Sequence, residues 1–322
     1  MSHTSVTIPS FNHARFIGRT IESVLNQQLR DLDIVVVDDC STDNSFEVAS
    51  QYTCDPRVRC ERNERNLGVA GNWNRCLELA RGPLVMVFGS DDLLDADYLA
   101  LASELFEANP RVGLIFSPVC SIDAQDRFIR AEEPRTPRLY RAGDEAVAAL
   151  ITQGICTVTS IFRRECYEKL GRYDDKIWNG PDVEFVTRIA TRYDVYDMGR
   201  LCGSVRIHSA KMGHLGYMRK ELLDSYMYGT RKIWGHLSPD GMRRLGVQNL
   251  EVFLARDGAN FAMNGALVMM ANARSDMARY YLQRVTQLDL RWWQRARFWR
   301  AVMLMLVPPL GQWLMRRRMR IA

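Results

Sequence analysis

The sequence predicts an α/β protein: a mostly parallel sheet flanked by helices, followed by a C-terminal helical extension. Three observations carry that prediction. From Ser5 to about Cys120, short apolar runs alternate with stretches of helical periodicity, the pattern of repeated βα units. Two of those runs, "DIVVVDDCSTDNS" and "LVMVFGSDD", pass directly from strand character into paired aspartates. From about Leu215 onward the pattern becomes helical, with Met-rich and aromatic faces.

The elements follow in order. A strand over residues 5–8 leads to a helix over 16–27 whose Ile17, Ile21, Val24 and Leu25 share one face. Strands over 33–37, 58–61 and 84–88 are each followed by a helix, over 45–52, 69–80 and 96–109, and a strand over 112–117 closes the regular part. Asp95 is placed to cap the helix that starts near Ala96. The middle, 121–208, is less regular. It holds a polar, proline-bearing stretch (132–137), a helix over 144–153, an apolar segment over 155–162, a helix over 181–193 and the strand-like "CGSVRIH". No repeat or low-complexity linker marks a boundary, and the division is placed at 1–212 and 213–322.

Length and composition narrow the class. At 322 residues and 47% hydrophobic content the chain can bury a real core, which excludes disorder as the default. The net charge of +5 is concentrated: no acid follows Asp289, while Arg291, Arg295, Arg297, Arg300, Arg316, Arg317, Arg318 and Arg320 do. The eight cysteines form no CxxC pair, which predicts a reducing, cytoplasmic setting. Strand character begins within five residues of Met1, so a secretory leader is not expected.

The tail carries a helical stripe of Trp292, Ala296, Trp299, Met303 and Leu306. Its apolar run, 301–310, is ten residues long and is interrupted by Pro308 and Pro309, about half of the roughly 20 needed to span a bilayer. Aromatics and arginines predict peripheral contact with a membrane face; a helix packed on the catalytic domain or a partner subunit, with a solvated basic tail, is the alternative. A basic tail without a reading fold gives no ground for nucleic-acid binding. The Met-rich face over 217–270 can bury a partner subunit or pack within the chain.

Paired carboxylates at two strand ends stand at one edge of a parallel sheet, where ligands bind in open α/β folds. The same residues leave strands, make turns and cap helices. Together the pairs favour a polar ligand. Clustered carboxylates suit Mg2+ or Mn2+, which bind one or two carboxylates plus substrate phosphates, and a single Asp at a strand end can accept from a nucleobase N–H or a ribose hydroxyl.

The ordered set "VTIPSFN", "VVVDDCSTDNS", "NLGVAGNWNRCLELARG", "VFGSDD", "GPDVEF" and "VRIHSAKMG" resembles a family 2 glycosyltransferase with the Rossmann-like GT-A fold, over about 4–213. The resemblance implies that Pro9, Phe11, Asn12 and Asp39 frame the nucleoside and that Asn66 lines the base or ribose. It implies that Asp91 approaches the ribose and Asp92 holds Mg2+ or Mn2+, with Ser90 in place of the family's first acid. His208 would reach the metal or diphosphate, and Arg206 and Lys211 would neutralise phosphate. Cys40 stands where the family has Gly, in a tight turn. The implied donor is a nucleoside diphosphate sugar, UDP- or dTDP-linked, and the implied acceptor is a glycan or lipid-linked saccharide.

An inverting transfer needs one base, because a metal-bound diphosphate leaves unprotonated. In "NGPDVEFVTRIA", Pro181 suits a first helical turn and Asp182 and Glu184 follow it. Acids there also stabilise the helix dipole. The resemblance points to Asp182 as base, with Glu184 as second choice and Trp178 lining the acceptor side. A helix N terminus is expected to lower the Asp182 pKa. A sugar nucleotidyltransferase is a rival reading, but "PSFNHARFIG" lacks a Gly-rich phosphate loop; a non-catalytic nucleotide-sugar-binding scaffold is the non-enzyme rival.

Overall fold

The structure, a computed structural model, describes residues 4–153, 157–178, 180–208, 220–271, 274–289 and 291. Its strands are β1 (Thr4–Ser10), β2 (Leu32–Asp38), β3 (Val58–Arg62), β4 (Leu84–Val87), β5 (Leu93–Leu94), β6 (Val112–Phe116), β7 (Cys120–Ile122), β8 (Phe128–Ala131), β9 (Arg138–Tyr140), β10 (Ile161–Arg163), β11 (Asp194–Asp197) and β12 (Gly203–Arg206). Its α-helices are α1 (Ile17–Leu25), α2 (Ser45–Ser50), α3 (Gly68–Leu79), α4 (Tyr98–Ala108), α5 (Asp144–Gln153), α6 (Arg164–Leu170), α7 (Pro181–Ala190), α8 (Glu221–Gly235), α9 (Pro239–Arg244), α10 (Leu250–Ala271) and α11 (Ser275–Leu288).

The chain divides into two compact units. The first holds residues up to Asp175, then Pro181–His208 and His236–Gly241; the second holds the described residues of 176–180, 220–235 and 242–291. Two short segments, 176–180 and His236–Gly241, are exchanged between the units.

In the first unit the large sheet has the order β3-β2-β1-β4-β10-β6-β11-β9. β3, β2, β1, β4, β6 and β11 run one way, and β10 and β9 run against them. Of the apolar segment expected over 155–162, Ile161 and Phe162 enter β10, the reversed strand between β4 and β6, and Thr157–Thr159 form a turn before it. β2 reads as an unbroken apolar run because both its faces are covered. Ile34 and Val36 join the main core with α1, whereas Val35 and Val37 pack with Cys76 of α3. α1 buries Ile17, Thr20, Ile21 and Val24 at helical spacing. Each such aliphatic side chain contributes about 1.5–3 kcal/mol when fully buried.

Chain order reverses around β1, which lies between β2 and β4, so a crevice opens beyond the carboxyl ends of β1 and β4. A second sheet, ordered β5-β12-β7-β8, stands after that edge. Its short β5 directly follows the "GSDD" turn and pairs antiparallel with β12, Leu93 against Ser204 and Leu94 against Gly203. α1 braces the same turn: the Thr20 hydroxyl donates to the Asp92 carbonyl at 2.9 Å, and Gln27 Nε2 to the Asp95 carbonyl at 2.7 Å. Asp95 is not the cap that was expected. Asp97 holds the N-cap position of α4, makes no side-chain capping bond and pairs with Arg200 at 2.9 Å.

The second unit is helical. Met263, Met269 and Met277 are buried with Leu223, Tyr281 and Val285 in one core built from α8, α10 and α11. In these helices, those methionines fill the unit's own interior.

At Gly203 the β12 backbone lies close against β5, since a β-carbon there would lie 2.9 Å from the Leu93 carbonyl oxygen. Gly203→Ala therefore pushes β12 from β5, and a loss of about 1–3 kcal/mol is expected by urea unfolding. Unchanged stability would show that the strand pair tolerates the extra carbon.

Candidate active site

The β1–α1 loop carries the first group of expected residues, and the β2–α2 loop holds it in place. The backbone N–H of Asn12 donates to Ser41 Oγ (2.9 Å), that of His13 to Ser45 Oγ (2.8 Å), and that of Ala14 to Asp43 Oδ2 (3.1 Å). Asn12 adopts φ +56°, and its Oδ1 accepts from the Thr42 N–H at 2.8 Å. Cys40 adopts φ +59°, so the tight turn is kept without the family's glycine. Pro9 is half-buried at the end of β1, and Phe11 is 43% exposed.

The aspartates of "DDCSTDNS" are committed to this scaffold. Asp38 Oδ2 accepts from the Ser41 N–H at 3.0 Å. Asp39 Oδ1 accepts from Asn63 Nδ2 and the Leu67 N–H, both at 2.8 Å, and Oδ2 from the Gly68 N–H at 3.0 Å. Its negative charge thereby sits at the N terminus of α3, where backbone donors and the helix dipole favour it. Gly68, at φ +75°, allows the approach. Asn66 closes the same loop, its Nδ2 donating to the Asp39 carbonyl at 3.2 Å.

The "SDD" turn supplies a different kind of group. Asp91, 6% exposed, faces His208, with Oδ2 and Nε2 2.9 Å apart. His13 joins them: one ligand atom from each of His13, Asp91 and His208 lies within 4.8 Å of the others. The two imidazole centroids are 5.7 Å apart, and Phe16 packs on the His208 ring at 4.7 Å. Asp92 is turned the other way. Its Oδ1 accepts from the Arg206 backbone N–H at 2.8 Å, and a β-carbon on Gly89 would lie 2.7 Å from its Oδ2. The carboxylate in the cluster is therefore Asp91, where the family resemblance had assigned the metal to Asp92. His13 was missed in the sequence; the available signal was its place at the carboxyl end of β1, beside the chain reversal.

Arg206 is also placed differently from the expectation. The residue is 1% exposed, its Nε donates to the Asp91 carbonyl at 2.7 Å and its Nη1 to the Asp123 carbonyl at 3.1 Å, and Nη1 pairs with Asp126. The guanidinium also covers Phe16 at 5.0 Å. Its charge is taken up inside the protein rather than presented to a diphosphate. Lys211 and the basic aromatic tail over 292–320 lie outside the described residues.

Asp182 reaches the same edge through the reversed strand. β10 runs against β4, so the turn before it, Thr157–Thr159, stands beyond the carboxyl end of β4. The Thr159 hydroxyl donates to the Ser117 carbonyl at 2.6 Å, which fixes that turn. The Thr157 hydroxyl then donates to Asp182 Oδ2. Burial pushes the Asp182 carboxyl above its ordinary value of 3.8, against the lowering effect of hydrogen bonds from Thr157 and the Val183 N–H. The expected lowering by the helix terminus is thus outweighed by desolvation. Glu184 is different: fully buried, it pairs with Arg188 at 3.0 Å and faces His236 Nε2 at 3.2 Å. It braces α7 and is not presented to an acceptor. Trp178, 42% exposed, belongs to the second unit, where its backbone N–H donates to Ser225 Oγ at 2.7 Å.

Comparison with known proteins gives the family and the fold. Residues 5–171 match the model of Glycosyl transferase family 2. An uncharacterised protein of Mycobacterium tuberculosis is 34% identical over 252 residues, 74% of this chain and 78% of that protein. Chondroitin synthase of Escherichia coli is 31% identical over 205 residues, 63% of this chain but 29% of the synthase's own length. Among solved structures, S. aureus TarS 1–349 in complex with UDP-GlcNAc superposes with a TM-score of 0.59 at 15% identity, covering 91% of this chain and 92% of that one. The mannosyltransferase PcManGT from Pyrobaculum calidifontis, in complex with GDP-Man and Mn2+, gives 0.57 at 18% identity, with 97% and 86% covered. The chain belongs to glycosyl transferase family 2 and is a glycosyltransferase with the GT-A fold.

Proposed function

We propose that the protein is an inverting, metal-dependent transferase that moves a sugar from a nucleoside diphosphate donor, UDP- or dTDP-linked, to a hydroxyl of a glycan or lipid-linked saccharide. The observation that carries this reading is the convergence on one sheet edge of two groups: the Asp91–His208 pair and the half-buried Asp182. Support for the donor class comes from the nucleotide sugars bound by TarS and PcManGT, and support for a polysaccharide product from the synthase among the relatives.

The donor set fits a divalent cation: a carboxylate and an imidazole face each other at hydrogen-bond distance in a largely enclosed site. Asp91 and His208 would hold Mn2+ or Mg2+. Such an ion supplies positive charge that offsets the charge developing on a leaving diphosphate. Asp39 keeps one acceptor position on Oδ2 for a nucleobase or ribose donor, beside Pro9 and Phe11. No glycine-rich phosphate loop follows β1, and the loop there is tied down by Ser41, Asp43 and Ser45. That argues against nucleotidyl transfer.

At the other side of the reacting carbon, Asp182 acts as general base. Thr157 holds Oδ2, and in this reading Oδ1 takes the acceptor proton. As the acceptor oxygen bonds to the anomeric carbon, its proton passes to Asp182. The bond from that carbon to the diphosphate oxygen breaks, and the electron pair leaves with the diphosphate. Attack from the opposite face inverts the centre. The raised Asp182 pKa makes it a stronger base than an ordinary carboxylate. Peripheral attachment to the cytoplasmic face of a membrane completes the proposal. It is supported by the arginines and tryptophans of the tail sequence.

Two predictions follow from Asp182. Asp182→Asn keeps donor binding by calorimetry and loses about 10²–10⁴-fold in turnover, measured as nucleoside diphosphate release with acceptor; full turnover in this variant would remove the base assignment and leave a different catalytic group or a scaffold. The base works only when deprotonated, so the raised pKa moves the acid limb of kcat/KM to higher pH than an ordinary Asp gives. Thr157→Val removes a bond that lowers that pKa, and its limb moves higher still. An unmoved limb would show that Asp182 is not the titrating group.

A further inference from the structure

We infer that His13 is a third ligand of the cation, and that it makes the site select Mn2+ over Mg2+. The inference rests on the metal site proposed above. Its ligand atom lies within 4.8 Å of those of Asp91 and His208, although it comes from a different loop. That loop is fixed by backbone hydrogen bonds on three successive residues, Asn12, His13 and Ala14, so the ring's position is set before a ligand arrives.

The ring's orientation is set as well. His13 Nδ1 lies 2.7 Å from Ser90 Oγ. If Nδ1 carries the proton and donates it to Ser90, Nε2 is the lone-pair nitrogen. This is the usual arrangement of a ligating imidazole, in which an outer hydrogen bond fixes tautomer and angle. Ser90 precedes Asp91, so one turn supplies both a carboxylate ligand and the hydroxyl that aims the neighbouring ring. With His208 the site offers two nitrogens and one carboxylate. Both ions favour oxygen donors, but Mg2+ gives up water reluctantly, whereas Mn2+, a transition ion at the weak end of its row, takes imidazole nitrogen better than Mg2+ does. The set therefore discriminates by ligand type.

The test titrates Mn2+ alone, then Mg2+ alone, into the full-length protein, and counts coordinated imidazole nitrogens by pulsed electron paramagnetic resonance of the Mn2+ form. The expected result is two nitrogens in the wild type and one in His13→Ala and in His13→Gln, either variant serving if the other fails to fold. Mn2+ affinity should fall at least tenfold in both, with a smaller loss for Mg2+. Ser90→Ala should lose about 10–100-fold in Mn2+ affinity while keeping both nitrogens. One nitrogen in the wild type, unchanged on replacing His13, would overturn the inference and leave the Asp91–His208 site standing. No Mn2+ binding to the wild type would overturn both.

Discussion

The site depends on the buried Arg206. A guanidinium this deeply enclosed persists only where oxygen acceptors surround it, and removing one partner of a buried ion pair costs about 3–5 kcal/mol. Here the acceptors are the Asp91 carbonyl, the Asp123 carbonyl and the Asp126 carboxylate. One side chain thus joins the end of β12, the "SDD" turn and the β7–β8 turn. The Arg206 backbone N–H holds Asp92 inward, and that leaves Asp91 as the carboxylate facing His208, two residues beyond Arg206. A residue expected to serve the substrate's phosphates instead braces the turn in which Asp91 faces His208.

A similar conversion occurs at the end of β2. Asp39 binds the first amides of α3, Asp43 binds the loop after β1, and Asp38 closes its own turn. These carboxylates fix the loops at the sheet edge, and Asp39 is the one proposed to meet the nucleoside as well. The two aspartate pairs look alike in sequence because both leave a strand at the same edge. Their roles differ because different backbone donors lie opposite each pair.

The sheet edge was legible in the sequence. Apolar runs ending in acids predict strands, and a parallel sheet puts their ends together. The pairing of Asp91 with His208 spans 117 positions. The ordered motifs gathered both residues into the site, but only the second sheet sets them face to face. Periodicity could not place the reversed β10, whose segment is a short apolar run without a turn signal, and so the means by which Thr157 reaches Asp182 was hidden. The direction of the Asp182 shift was misread for a related reason: a helix terminus is visible in sequence, whereas the depth of burial is a tertiary property. In the helical unit, the Met-rich pattern was legible as an apolar face, and packing within that unit decides what α10 and α11 bury.

In the proposed mechanism Asp91, with the histidine beside it, forms a metal-dependent donor site at the switch point of the sheet. Calorimetry of a panel of nucleoside diphosphate sugars, with and without Mn2+, on the wild type and Asp91→Asn tests it most directly. A donor is expected to bind the wild type only when Mn2+ is present, and Asp91→Asn to lose that binding. Equal binding of the donor by both proteins without metal, or no binding of any donor by the wild type, would contradict it.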